Sequence, residues 1–540
     1  MYGGRDAPIV DLFVLTSLIH LDNINNQIFW RIDVMVIKRL SVVLILAVLM
    51  LPLSANGKTN LSRTGIDSAR PFIAINQDGV ILVVWCETEK EDGESGTIFY
   101  NVKRQDSNWE GKKNAGLDKI AAWTPVLDVD VEGKFHLTYA DGGSSLNREI
   151  FHAIYDPASG WTQPVMIWNS PDNSAWQKID VDGDKAYIVW FHKNIGPYIG
   201  SDIIMQSKLL TDQLWPDMYE RISWSAKETS IHPAFKARDD KVYVCWMQGS
   251  PTHSPWKLRY KEAQSGTDWH QVAPSDIEGL AYYPELDLDQ DDNVHIVFSN
   301  RTGNFFYKQR TGGTWQPAEI LSNMNAPLQM GDIKTRWEIV VAVWSQRDDL
   351  GMHLYYSQKP LGGEWATPVR VADGIIAGHP RVWIGDMGHA HFVWEDLGGV
   401  NGRRDVYYKK SEVPVYEPIF APLNFVGEQK ENKAMFYREY IHVLSWAANP
   451  ENYDIEKYML YEIVGGDQIL VQEFSSSTFE YTRRNVDKDK GYTYWLYAVD
   501  INNRIGIPAK VDINGGSSSS RNETEHHKAK EVESTRISRQ

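Results

Sequence analysis

"DVDGDKAYIVWF", Asp180 to Phe191, sets acidic residues on alternate positions around a glycine and then runs into an apolar stretch. It reads either as a calcium loop or as a tight turn feeding a buried strand. A calcium loop of the EF-hand kind needs a carboxylate at its twelfth position. That position is Phe191 here, and Phe298 in the similar run that starts at Asp287. The same slot recurs as "NQDGV", "VEGKF", "RDDKV", "DQDDNV" and "GDMGH" elsewhere in the chain. A hairpin turn, with its positive φ and local side-chain caps, explains all six. No metal or other cofactor is expected.

The run after the turn also recurs. "VILVVW" ends at Trp85, "KFHLTY" at Tyr139, "AYIVW" at Trp190, "VYVCW" at Trp246, "VHIVF" at Phe298, "IVVAVW" at Trp344 and "AHFVW" at Trp394. Successive anchors are 46 to 56 residues apart, a period that signals a repeat architecture. Each unit opens near a proline (Pro71, Pro125, Pro233, Pro284 and Pro380), with Trp176 and Met330 standing in for the other two. A third, aromatic-rich strand follows ("IFYNV", "LRYKE", "VYYKK"), then a tryptophan such as Trp109, Trp161 or Trp315 opening a fourth. Continuous apolar runs mean burial on both faces. Four short strands per unit, seven times, predict an all-β chain whose residues 58–410 form a seven-bladed β-propeller. The last unit lacks a fourth strand, so Asn60–Ser62 is expected to complete it from the other end of the chain.

Other segments frame this ring. Residues 35–56 carry a basic start (Lys38, Arg39), an apolar run from Leu40 to Leu51 and a small-residue exit, the layout of a secretory signal peptide. Met35 reads as the functional start and residues 1–34 as an over-extended one. The mature chain is expected to be secreted, extracellular or periplasmic, without a membrane span, and monomeric. A net charge of −16 repels phosphate backbones and argues against nucleic acid as a partner. Cys86 and Cys245 fall in units one and four, too far apart around a ring to pair.

Residues 411–419 read as a linker and 515–540 as a disordered polar tail. Between them, Trp446, Tyr458, Tyr461, Tyr492, Tyr494, Leu496 and Ala498 stand in short alternating strands. On these residues 420–514 resemble a fibronectin type III domain, with Tyr492 where that family has its tyrosine corner. The resemblance implies a β-sandwich acting as a spacer. The turns "DPASGWTQP", "GGTWQP" and "GGEWATP" likewise resemble those of the sialidase-like, BNR-repeat propellers, although none matches a full Asp-box. Arg70, Arg301, Arg347, Glu87 and Tyr283 supply the residue types of that group's arginine triad and Tyr/Glu pair. They do not align to its motif, so no role is carried over.

Two sets of residues are expected at one mouth of the ring. Before the proline position stand Arg70, Thr124, Ala175, His232, Tyr283, Gln329 and His379. Two residues beyond the anchors stand Glu87, Asp141, His192, Gln248, Asn300, Gln346 and Asp396, with Arg301 and Arg347 next to them. Amides and carboxylates bond sugar hydroxyls, and aromatic rings stack on sugar faces. The expected ligand is a glycan or an extracellular protein. Non-catalytic binding is the leading reading. A glycan-degrading enzyme is the alternative, either a hydrolase using two of Glu87, Asp141 and Asp396 or a polysaccharide lyase using His232 and Tyr283 as base and acid. A scaffold in a surface complex is the third.

Overall fold

The structure, a computed structural model, describes residues 57–514 apart from 89–95, 119–120, 143–147, 170–171, 194–199, 225–227, 251–255, 301, 323–329, 349–350, 400–401, 435–436 and 466. Residues 1–56, where the signal peptide is expected, and 515–540, expected as a tail, lie outside these residues, as do Arg301 and Gln329. The described chain is all-β, with a single short 3₁₀ turn at Trp269–Gln271. Among the described residues no helix is long and apolar enough to cross a membrane.

Residues 59–410 fold into antiparallel sheets of four or five strands, and two of these units join into an eight-stranded sheet through the parallel pair Ser201↔Thr229. The first strand of each unit matters most for the site. These strands are Asp67–Ile75, Ala122–Val129, Ser174–Asp182, Thr229–Arg238, Ala281–Leu288, Gly331–Arg336 and Ala377–Ile384. Each touches the next, and the last touches the first, so they close a circle around one axis. Every second strand then lies between neighbouring sheets, which is why Ile81–Thr88 is buried at all eight positions. The anchors Trp85, Trp190, Trp246, Trp344, Trp394 and Tyr139 are among the largest fully buried side chains.

The turn at Asp182–Lys185 is a two-residue hairpin with Gly183 at φ 56°. Asp180 is buried and accepts from Lys236 Nζ and the Ala237 N–H. It ties neighbouring strands together. Both cysteines are free and buried.

The circle is fastened by the two ends of this region. Thr59 and Asn60 pair with Tyr408 and Tyr407. The fully buried Asp405 carboxylate accepts from Asn60 Nδ2 at 2.7 Å, Ser62 Oγ at 2.8 Å and the Thr64 N–H at 3.2 Å. Lys58 Nζ reaches Asp396 at 2.8 Å.

Residues 423–513 form two packed sheets, Leu423–Ala434 with Tyr437–Ala447 and Glu480–Arg483, and Asp467–Ser475 with Ile455–Val464, Tyr492–Asp500 and Ala509–Ile513. Trp446, Tyr458, Tyr492, Tyr494, Leu496 and Ala498 meet in one core. The Tyr492 hydroxyl accepts from the Asp487 N–H at 2.9 Å. Tyr461 points the other way, against Tyr497 at 5.6 Å, into a cleft shared with the ring.

Candidate functional site

Six of the seven first strands carry the same irregularity near their start. The pairing register slips between Ala69 and Phe72, Trp123 and Val126, Ala175 and Lys178, Ile231 and Ala234, Tyr282 and Glu285, and Gly378 and Arg381. Within each slip one non-glycine residue takes a left-handed backbone: Arg70 (φ 56°), Thr124 (46°), Trp176 (55°), His232 (51°), Tyr283 (51°) and His379 (45°). A bulge of this kind re-aims a side chain at a backbone cost. All six side chains line one central pocket of about 710 Å³ measured out to open solvent. Only about 70 Å³ of that can hold the centre of a water molecule. The pocket is therefore a narrow one.

Arg70, His232, Tyr283 and His379 thus meet as the sequence spacing predicts. In the third unit the proline marker misleads by one residue. Trp176 and Met330 themselves line the mouth, while Ala175 is buried in the sheet core. Trp176 takes the bulge's left-handed position without a proline following it, so the sequence gives no sign of the slip.

The mouth is a chain of stacked groups. The Arg70 guanidinium lies 4.6 Å from the Trp123 ring and 5.2 Å from Trp176. Trp176 lies 3.9 Å from the His232 ring, and His232 meets Tyr283 edge-on at 4.9 Å. Loss of solvent, reinforced by Arg70 and Lys178, pushes the His232 pKa down to about 3. Its imidazole is neutral throughout the physiological range.

Below the rim lies a charged floor. Lys178 Nζ and Arg381 Nη1 both reach the Glu285 carboxylate at 2.6 Å. Burial pushes Glu285 up, but Arg381 and Lys178 outweigh it and hold the carboxyl below its ordinary value. Burial lowers Lys178. The pocket lining therefore sets three cations, Arg70, Lys178 and Arg381, against the single carboxylate of Glu285.

The second set of residues lies away from the pocket wall. Glu87 is buried, accepting from Trp85 Nε1 at 2.9 Å and from Lys112 at 2.9 Å. Gln248 and Gln346 accept from the indoles of Trp246 and Trp344. Asp141 accepts from the Ala121 N–H, His192 bonds Ser174 Oγ at 2.8 Å, and Asn300 caps its own turn through Thr302 and Asn304. Asp396 accepts from Ile375, Ile376 and Lys58. Arg347 is exposed, at the end of its strand. These groups cap strand ends and anchor indoles. None of the three carboxylates, Glu87, Asp141 and Asp396, lines the mouth.

Sequence reasoning missed Glu395. It is buried, accepts from the Arg70 N–H at 2.7 Å, and lies 3.0 Å from His379 Nδ1 and 3.1 Å from Arg404 Nη1. Burial raises its carboxyl, but His379 and Arg404 outweigh that and hold it well below the usual range. Glu395 positions two residues of the mouth from behind.

No protein-family model and no curated protein matches the chain. Among solved structures it is similar to a polysaccharide lyase of family PL25, an ulvan lyase, with a TM-score of 0.48 and 12% identity over 65% of this chain and 95% of that one. It is similar as well to an α-L-arabinanase of Penicillium chrysogenum complexed with arabinobiose (TM-score 0.41, 12% identity, 65% and 97% covered). A third is the GH93 α-L-arabinofuranosidase of Fusarium graminearum with arabinobiose (0.41, 12%, 53% and 92%).

Proposed function

We propose that this chain is an exported glycan-degrading enzyme, a polysaccharide lyase acting on a uronate-containing polymer at the mouth of a seven-bladed β-propeller. The observation that carries this is the convergence of Arg70, neutral His232 and Tyr283 on one narrow, cationic pocket. Arg70 pairs with the uronate carboxylate and so acidifies the neighbouring C5–H. His232 takes that proton. The electron pair forms a C4=C5 double bond, the C4–O glycosidic bond breaks, and the Tyr283 hydroxyl gives its proton to the departing oxygen. Lys178 and Arg381 keep the floor positive beneath the carboxylate. The domain assignment belongs to the same proposal: residues 58–410 as the propeller, supported by the cyclic order of first strands, and 420–514 as a fibronectin type III domain, supported by the three- and four-stranded sheets and the Tyr492 bond to Asp487. Residues 35–56 supply the export signal.

Non-catalytic glycan binding is the second reading, favoured by the Arg70–Trp123–Trp176 stack, which suits a sugar face as well as it suits a transition state. Incubation with alginate, pectate, hyaluronan and ulvan, followed by ultraviolet absorbance and reducing-end assays, separates the readings. A lyase raises both signals with at least one polymer. A hydrolase raises reducing ends alone, and a binder retains polymer and raises neither. The last two outcomes overturn the lyase.

A further inference from the structure

The turns on the opposite face of the ring from the mouth hold a second site. Six of them place glycine or aspartate at positive φ: Gly79, Gly133, Gly183, Asp240, Asp292 and Gly388. The seventh places Trp337 there, at φ 52°. A left-handed backbone is a genuine outlier for a bulky residue, and the two-residue turn itself does not require an indole, although this one also hydrogen-bonds Tyr416. The side chain lines a cleft between the ring and the C-terminal sandwich, where Trp383 faces it from the ring and Tyr461, Trp495 and Tyr497 from the sandwich. The cleft has about 350 Å³ that can hold the centres of water molecules, against about 70 Å³ in the mouth. Gln77 and Gln468 add amide edges. The charged lining residues are Asp130, Arg336 and Asp386, and Arg336 is already paired with Asp386. Lys334 lies 4.7 Å over the Trp383 ring and Lys510, paired with Asp78, 4.3 Å over Trp495, so the charges around the cleft balance, without the cationic excess of the mouth.

We infer that this cleft binds a neutral oligosaccharide, held by aromatic rings against the apolar faces of its pyranose units and by Gln77 and Gln468 at its hydroxyls. Aromatic platforms with amide edges suit sugar rings, and a cleft without net charge favours a neutral sugar over uronate or sulfated chains. The site is separate from the mouth and does not depend on what the mouth does.

The test is isothermal titration of the full chain with cellohexaose, xylohexaose and mannohexaose, repeated on Trp337→Gly and Arg70→Ala. At least one neutral hexamer binds the unaltered chain. Trp337→Gly weakens it at least tenfold while the melting temperature stays level or rises, because glycine relieves the positive φ. Arg70→Ala leaves it unchanged. The inference is overturned if none of the three sugars binds, if binding survives Trp337→Gly, or if that variant melts earlier with sugar affinity intact, which would make the indole a packing group between the two domains.

Discussion

The Arg70 N–H donates to the buried Glu395 carboxylate at 2.7 Å, across the seam where the first unit of the ring meets the last. The same carboxylate holds His379 and Arg404. One group therefore links closure of the fold to the aim of the mouth.

Glu395→Gln should cost about 3–5 kcal/mol, the range for breaking a buried ion pair by removing one partner. Folding holds this carboxyl below its ordinary value of 4.5, so its contribution is complete above that pH and drains away as pH falls toward the folded value. Urea unfolding at pH 7 should show the full gap between variant and unaltered chain, and at pH 3.5 a narrower one. An equal gap at both would place the carboxylate's energetics elsewhere.

His232 carries the opposite sign. Its pKa falls from 6.5 to about 3 on folding. The unfolded chain therefore binds the extra proton first, and the histidine costs stability progressively as pH drops below 6.5 toward 3. His232→Gln should melt closer to the unaltered chain, or above it, at pH 4 than at pH 8. With a uronate polymer the same variant should lose about 10²-fold or more in kcat, the usual size of a general-base contribution. The acid limb of the pH–rate profile should show no inflection near 6.5.

Glu285 neutralises two cations in the floor. Glu285→Gln leaves Lys178 and Arg381 facing each other beneath the mouth. The variant should unfold at lower urea, by about 3–5 kcal/mol, yet bind a uronate oligomer more tightly in titration. Weaker binding would mean that the floor does not sense the ligand.

Removing residues 58–66 takes away the strand that pairs with Tyr407 and Tyr408 and the three donors to Asp405. Calorimetry should show a melting temperature lower by roughly 5–10 °C, the shift expected for a few kcal/mol in a domain of this size.

The ring was legible because its signal is periodic: seven apolar runs ending in Trp, Tyr or Phe cannot be buried except between neighbouring sheets. The proline-marked mouth residues were legible for the same reason. What sequence could not separate was the two roles of a polar residue at a strand's end. Glu87, Gln248 and Gln346 look like a wet rim, yet each accepts from the indole two residues before it. Trp176 lacked the proline that marks the bulge. Glu395 was hidden because "VWED" reads as an anchor followed by its rim residue, and its partners Arg70 and Arg404 lie far away in sequence or just before the next strand. Trp337 became visible only once its φ was set beside those of the six counterpart turns.

The bond from Asn60 to Asp405 spans 345 positions. A chain made from its N-terminus exposes its clasp first and the eyelet last, so the circle stays open until nearly the whole ring has emerged. Contacts that distant slow folding, and until the clasp engages, the free edge of Asp405–Lys410 is open to any passing strand. Folding of this ring is thus a race between self-fastening and capture by a neighbour, decided by the few residues from Lys58 to Thr64.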